Sequence, residues 1–438
     1  MAELGHEVIG IDVDEARIAA LTAGTAPFYE PGLPELLESG VASGRLRFST
    51  DAADAAGSAV HFVAVGTPQL AGRTAADLRF VDAAIDALLP HLAPGDLVVG
   101  KSTVPVGTAA RLAERVRGAG ADLAWNPEFL REGYAVRDTI SPDRLVYGLP
   151  DGGLDELRGV AADPDDRGRA VRDSPAAHAK GLLDDVYATA LVQGTPLVVT
   201  DYATAELVKV SANAFLATKI SFINAMAEIA EVAGADVTQL ADAIGFDARI
   251  GRRFLNAGVG FGGGCLPKDI RAFAARAEEL GRGESVAFLK EIDAINLRRR
   301  DKVVDLVLEA VGGEPHKKRV AVLGLAFKPE SDDIRDSPAL DVAVRLRGLG
   351  VKVTATDPQA IENSRRIHPQ LKYAASTEKA LKDADVVVLV TEWREYRDLT
   401  PAQVARIARG RTIIDGRNVL DAAAWRAAGW TYRGLGRP

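Results

Sequence analysis

The chain has 438 residues, 53 Lys plus Arg against 61 Asp plus Glu, six His and one Cys. Hydrophobic residues at 47% and charged residues at 26% exclude wholesale disorder, and a net charge of −8 does not favour nucleic acid as the main partner, a local basic patch aside. One thiol excludes an intrachain disulfide and zinc sites built from several cysteines, no apolar run reaches the ~20 residues of a membrane span, and the length implies roughly two to three domains. The start, MAELGH, lacks the basic and apolar regions of a secretory signal, so the expectation is a soluble cytoplasmic protein with no membrane partner.

The front alternates strands and helices. VIGID (8–12) is a short apolar run ending in an acid, and residues 60–65 form another, stopped by Gly66-Thr67-Pro68. Residues 97–99 and 123–125 are shorter candidates, with helical patterns at 77–92 and 108–119. This alternation predicts a parallel sheet covered on both faces. Residues 151–180 break the rhythm with Asp, Arg, Gly and Pro. They read as a mobile insertion, or as a charged surface helix with irregular flanks.

From Ala203 the pattern turns helical. Leu207, Val210, Ala214, Phe215, Ala217, Ile220, Ile223 and Ile229 recur at helical spacing on more than one face, which suits a helix buried between domains or subunits. A second helical segment covers about 285–311. The back then restarts as strand and helix: VAVLGL (320–325), a helix opened by Ser337-Pro338, a strand 352–356 ending at Asp357, and strands at 384–390 and 412–415. The expected architecture is α/β, two Rossmann-like doubly wound domains joined by a long central helix. The boundaries are 1–200, 201–312 and 313–438.

The front carries a defect. A dinucleotide-binding unit opens with a strand, a Gly-rich turn and a helix N-terminus for the pyrophosphate, and the acid for the ribose ends its second strand. Asp12 ends a strand, and Leu4-Gly5-His6 reads as the end of the helix before it, but no GxGxxG precedes Val8. Two readings stay open: the second strand of such a unit, or a buried strand of another α/β fold.

Residues 256–269 read NAGVGFGGGCLPKD, with five glycines among the seven residues 258–264. Glycine lets a backbone approach a ligand closely, and Pro267 limits the chain just past Cys265. A lone cysteine is ordinarily an inert small hydrophobe. Here it lies behind a polyglycine loop and beside Lys268 and Asp269, a setting that favours a nucleophile. The six His are scattered and none has metal-ligand spacing with another, so no metal site is expected. Lys209 and Asn213 are four apart and share a helical face, either as a solvated stripe or as buried polar groups with a task. Asn126, Glu128 and Glu132 follow a short strand, where sheet-edge sites lie.

Together these pieces resemble the UDP-glucose 6-dehydrogenase family, within the nucleotide-sugar dehydrogenases. The resemblance runs through YEPGLPELL (29–37), VAVGTP (63–68), KSTVPVGT (101–108) and NPEFLREG (126–133). It continues through AELVKVSANAFLATKISFIN (205–224), GVGFGGGCLPKD (258–269), GLAFKPESDDIRDSP (324–338) and IDGRNVLD (414–421). It implies oxidation of UDP-glucose to UDP-glucuronate with two NAD and one water, through a thiohemiacetal and a thioester on Cys265. By resemblance Lys209 and Asn213 stabilise the oxyanion and position water, Asp269 and Glu128 are the acid–base and water-handling carboxylates, and Thr103 holds an active-site water. The resemblance assigns the nucleotide sugar to Glu128, Phe129, Leu130, Arg131 and Glu132, to Lys209 and Asn213, to Phe254, Leu255, Asn256, Ala257 and Gly258, and to Gly262 and Lys328. Arg249 matches an arginine that reaches a neighbouring subunit's substrate, and Arg417 one near the nucleotide. NAD falls to Asp12, Arg17, Thr67, Thr103, Glu132, Lys268 and Arg335, and an acid at position 12 favours NAD over NADP. A homodimer or higher oligomer is expected from the long helix and the resemblance.

Two departures stand out. Family members begin further upstream, with the strand and glycine turn missing here, so either the start is assigned too late or the pyrophosphate cradle is lost. The first reading predicts poor NAD binding and low stability for the 438-residue chain and activity for one extended upstream, and equal turnover from both would contradict it. The 151–180 segment is also longer and more charged than the family pattern. Other nucleotide sugars remain alternatives, as does a catalytically impaired binding protein. The Cys-Leu-Pro-Lys-Asp run argues against a UDP-N-acetylhexosamine, and the KISFIN helix against GDP-mannose.

Overall fold

The computed structural model describes residues 1–152, 154–157 and 174–438. Most of the charged 151–180 segment therefore lies outside the described residues. The chain divides into two compact units, Met1–Ala212 and Asn213–Pro438.

In the first unit, β1 (Val8–Ile11) and β2 (Leu46–Ser49) pair in parallel as a two-stranded sheet. β3 (Val60–Val63), β4 (Leu97–Gly100), β5 (Asp122–Trp125), β6 (Leu145–Leu149) and β7 (Leu197–Asp201) form a second sheet in chain order. β3 to β5 run parallel as expected, but β6 is antiparallel to β5 and β7 follows β6. The all-parallel expectation is corrected there: the alternation of strand and helix carried no signal of the reversal. Both faces are covered. Val98 joins the core built with Val81, Ile85 and Leu112, while its neighbours Leu97 and Val99 join the core built with Ala179 and Leu183. This is the period-2 alternation of a strand packed on both sides. The expected helix end at Leu4-Gly5 is a 3-10 turn, Ala2–Leu4, closed by Gly5 at φ 97°.

The second unit carries β8 (Arg319–Leu323), β9 (Lys352–Thr356), β10 (Lys372–Tyr373), β11 (Val386–Leu389), β12 (Thr412–Asp415) and β13 (Thr431–Gly434). All pair in parallel in the order β10-β9-β8-β11-β12-β13. Numbered from β8, this is 3-2-1-4-5-6, the doubly wound order, with its switch point between β8 and β11. β11 is buried at every residue, as a central parallel strand should be. Ser337 caps the helix Pro338–Gly348 by accepting the Leu340 N–H, as the Ser-Pro signal predicted.

The long central helix, Tyr202–Ala233, spans 32 residues. Within the second unit it leaves Phe215, Phe222, Ile229 and Val232 exposed by 66, 47, 56 and 87%. These residues recur at seven- and three-residue steps, one stripe along the helix. No helix among the described residues is long and apolar enough to cross a membrane.

Candidate active site

In the first unit the expected residues gather at the C-terminal ends of the strands. Asp12 follows β1, and its carboxylate accepts from the Asp14 N–H at 3.0 Å and the Arg17 guanidinium at 2.6 Å. Partial burial pushes this carboxyl up, but the two donors outweigh it and hold it below the ordinary carboxylate range. Thr67 and Thr103, after β3 and β4, are tied together: the Thr67 hydroxyl donates to the Thr103 carbonyl at 2.8 Å. A carboxylate ending a parallel strand fits the ribose of a dinucleotide, and Thr67 and Thr103 follow strands of the other sheet of this unit.

Glu128 follows β5. Its carboxylate accepts the Leu130 N–H and lies 3.4 Å from the Lys101 ammonium, which also donates to Asn126 Oδ1 at 3.0 Å. Lys101 stands outside the expected set although it lies in the KSTVPVGT run. Burial works against its charge, but Tyr187 and Glu128 outweigh that and hold its pKa above the usual lysine value. Its position directly after β4, at the edge where sites form, was the available signal. Phe129 lies beneath two cations, with Arg144 3.9 Å and Lys209 5.6 Å from its ring centroid. Lys209 is 8% exposed and has no ion-pair partner among the described residues. A buried cation without a carboxylate suits a site where negative charge develops.

Arg131 is committed elsewhere. Its guanidinium is bidentate on Asp138, at 2.8 and 2.6 Å. The loop 129–135 is held from a distance by Glu30, buried, whose carboxylate accepts the Gly133 and Ala135 N–H groups at 2.7 Å each. Glu30 belongs to the YEPGL run and was also missed; a separation of 103 residues hides such a tie from local reading.

In the second unit Cys265 is exposed and stands as N-cap of the helix Leu266–Glu279, with Pro267 in the first turn where its missing N–H costs nothing. This helix was not among the expected elements. Its N-terminus and Lys268 place positive potential beside the sulfur. Asp269 is buried, ion-paired to Lys268 at 2.7 Å, and accepts from the Asn213 amide at 2.6 Å. Lys268, Asp269 and Asn213 thus form one connected cluster, and the Asp269 N–H donates to the Cys265 carbonyl at 2.8 Å.

The glycines before Cys265 are required by what packs on them. A Cβ on Gly262 would lie 2.3 Å from the Asp336 carbonyl oxygen, and one on Gly258 2.7 Å from that of Gly416. Gly260 adds a φ of 98° and faces Asn296, whose amide bonds both the Phe261 N–H and its carbonyl. Arg417 donates to the carbonyls of Val390, Gly260 and Phe327 at 2.8, 2.8 and 3.0 Å. It stitches the cysteine loop to the switch-point loops of the doubly wound sheet. Lys328 lies 5.4 Å over the Phe327 ring. Phe254 takes φ 65°, Leu255, Ala257 and Gly258 are buried, and Asn256 is exposed and accepts from Arg252. Arg335 and Arg249 are exposed and paired with Asp333 and Asp247.

Nucleotide-type α/β units, one ending a strand in a ribose-type acid and one carrying a thiol at a helix N-terminus, define the class as a cofactor-dependent α/β enzyme. Three models of the UDP-glucose/GDP-mannose dehydrogenase family match in order: the NAD binding domain over residues 1–156, the central domain over 203–298 and the UDP binding domain over 321–422. UDP-glucose 6-dehydrogenase of Rhizobium meliloti is 40% identical, with 100% of this chain and 95% of that protein covered. UDP-glucose 6-dehydrogenase TuaD of Bacillus subtilis is 38% identical, covering 100% and 89%. Among solved structures, a UDP-glucose dehydrogenase from Pyrobaculum islandicum superimposes with TM-score 0.84 at 37% identity, covering 100% of this chain and 94% of that one. A UDP-D-ManNAc dehydrogenase from Pyrococcus horikoshii follows with TM-score 0.80 at 25% identity, covering 100% and 95%. The chain belongs to the UDP-glucose/GDP-mannose dehydrogenase family, and it is an NAD-dependent enzyme.

Proposed function

We propose that the protein oxidises the C6 alcohol of UDP-glucose to the carboxylate of UDP-glucuronate in two steps. The observation that carries this reading is the single thiol at the N-terminus of the helix that also carries Lys268 and the buried Asp269 paired with Asn213. The relatives at 40 and 38% identity are named for UDP-glucose.

NAD, when bound, accepts the hydride in each oxidation. Cys265 adds its sulfur to the C6 aldehyde left by the first oxidation, and the second leaves a thioester on the same sulfur. Water then cleaves the C–S bond, giving the carboxylate and restoring the thiol. A covalent link retains the aldehyde between the two oxidations. Lys209 stabilises the oxyanion, Asn213 orients water and Asp269, and Asp269 and Glu128 carry protons to and from water. Thr103 holds water. Asp12, Arg17, Thr67, Thr103 and Glu132 of the first unit and Lys268 and Arg335 of the second are assigned to the dinucleotide. The nucleotide sugar falls to Phe129 to Glu132 in the first unit and to 254–258, Gly262, Lys328 and Arg417 in the second, with Arg417 acting through the backbone carbonyls it ties. Arg249, exposed, is left to reach a neighbouring subunit's substrate. The reaction takes place in the cytoplasm.

A panel of UDP-glucose, GDP-mannose and UDP-N-acetylmannosamine, followed by NADH absorbance, tests the substrate. A kcat/KM for UDP-glucose at least about 100-fold above the others is expected, since a site built for one pattern of sugar hydroxyls rejects analogues strongly. The Pyrococcus horikoshii neighbour supports the UDP-N-acetylmannosamine reading as the second choice, and preference for that sugar would replace the first.

The exposed stripe Phe215, Phe222, Ile229 and Val232 supports a homodimer formed along the central helix. Phe222→Asp with Ile229→Asp should convert the native assembly to monomers in sedimentation velocity while leaving the circular dichroism unchanged. An unaltered sedimentation coefficient would place the interface elsewhere.

A further inference from the structure

Behind the cysteine loop lies a partly buried cluster that none of the assigned roles uses. Asp336 adopts φ 48°, a left-handed conformation that Asp tolerates better than most side chains. Its carboxylate is held between two guanidinium groups from two helices. Arg271 reaches it at 3.0 Å from the helix that begins after Cys265, and Arg300 at 2.9 Å from the helix Phe288–Val311. Arg300 is 6% exposed and also donates to the Asp336 carbonyl at 3.1 Å and the Phe261 carbonyl at 3.5 Å. Arg271 is further fixed by a bidentate pair with Asp293.

The loop that carries Asp336 presses on the cysteine loop directly. The Gly263 N–H donates to the Arg335 carbonyl at 2.9 Å, and a Cβ on Gly264 would lie 2.3 Å from Cζ of Arg335. One carboxylate therefore ties the helix that starts at the thiol and the helix Phe288–Val311 to the loop leading from β8 into Pro338–Gly348, while that loop's Arg335 carbonyl and Arg300 hold the glycine loop. The two hydrogen bonds converging on it are charge-assisted and partly dry, the kind of tie that sets geometry.

We propose that Asp336 is a positioning residue for Cys265: clamped by Arg271 and Arg300, it sets the place of the sulfur against the doubly wound domain. This rests on the reading of Cys265 as nucleophile. Asn also tolerates the left-handed region, so Asp336→Asn removes the charge while sparing the backbone; Asp336→Gly spares the backbone still more.

The test uses the whole enzyme and the fact that it has one thiol. Iodoacetamide alkylation, followed by intact mass, reads the sulfur's exposure and environment without turnover. Steady-state rates with NAD and UDP-glucose read the chemistry. Both variants should keep the native circular dichroism, change the alkylation rate about threefold or more and lower kcat about 10-fold. KM for UDP-glucose should stay within about twofold, as expected for misplacement of a reacting group. Wild-type alkylation and kcat in Asp336→Asn would overturn the proposal, as would an equal loss in KM alone. Should that variant fail to fold, Arg271→Gln, which leaves Arg300 on Asp336, must show the same pattern to a smaller degree; wild-type values there overturn it too. Full activity in Cys265→Ser would instead remove the nucleophile reading, a distinct outcome.

Discussion

Cys265→Ser should lose about 10³-fold or more of UDP-glucuronate formation while folding normally. The side chain is exposed at the helix start, so an isosteric hydroxyl leaves the fold intact. The hydroxyl is a far weaker nucleophile at neutral pH than a thiolate next to Lys268 and a helix N-terminus, and an ester-type intermediate would form and hydrolyse slowly. The check is product analysis by chromatography together with thermal unfolding. Unimpaired product formation would mean that the second oxidation proceeds without covalent attachment.

The second large effect belongs to Lys209. Lys209→Met keeps the aliphatic bulk beside Phe129 and removes the charge. Loss of one donor to a developing oxyanion costs about 10²- to 10³-fold in kcat. Because Lys209 is buried and has no ion-pair partner among the described residues, removing its charge should leave stability unchanged or raise it. Stopped-flow NADH formation and a melting curve measure the two together. A large loss of Tm with wild-type kcat would make Lys209 structural rather than catalytic.

Much of the second unit was legible in the chain. Valine-rich runs such as 384–390 announced buried parallel strands, and Ser337-Pro338 announced a helix start that the structure caps through the Ser337 hydroxyl. The glycine run before Cys265 was visible as a place of close approach, but its reasons were not. They lie in Asp336, Gly416 and Asn296, residues far along the chain that only the fold brings against it. The same holds for Glu30, whose bonds to Gly133 and Ala135 cross 103 and 105 residues. Lys101 was missed for another reason: a lysine after a strand reads as surface until Tyr187, Asn126 and Glu128 are seen around it. The helix starting at Leu266 was missed because Pro267 and the preceding glycines read as a breaker, whereas Pro in a first helical turn is harmless. The reversal of β6 left no trace in composition, since a buried strand looks alike in either direction.

The central claim is a four-electron oxidation carried through one sulfur. With NAD in excess, the number of NADH formed per UDP-glucose consumed tests it most directly. Two NADH per sugar, with UDP-glucuronate as the product and no free aldehyde, is the predicted result. One NADH per sugar with an aldehyde product would contradict it.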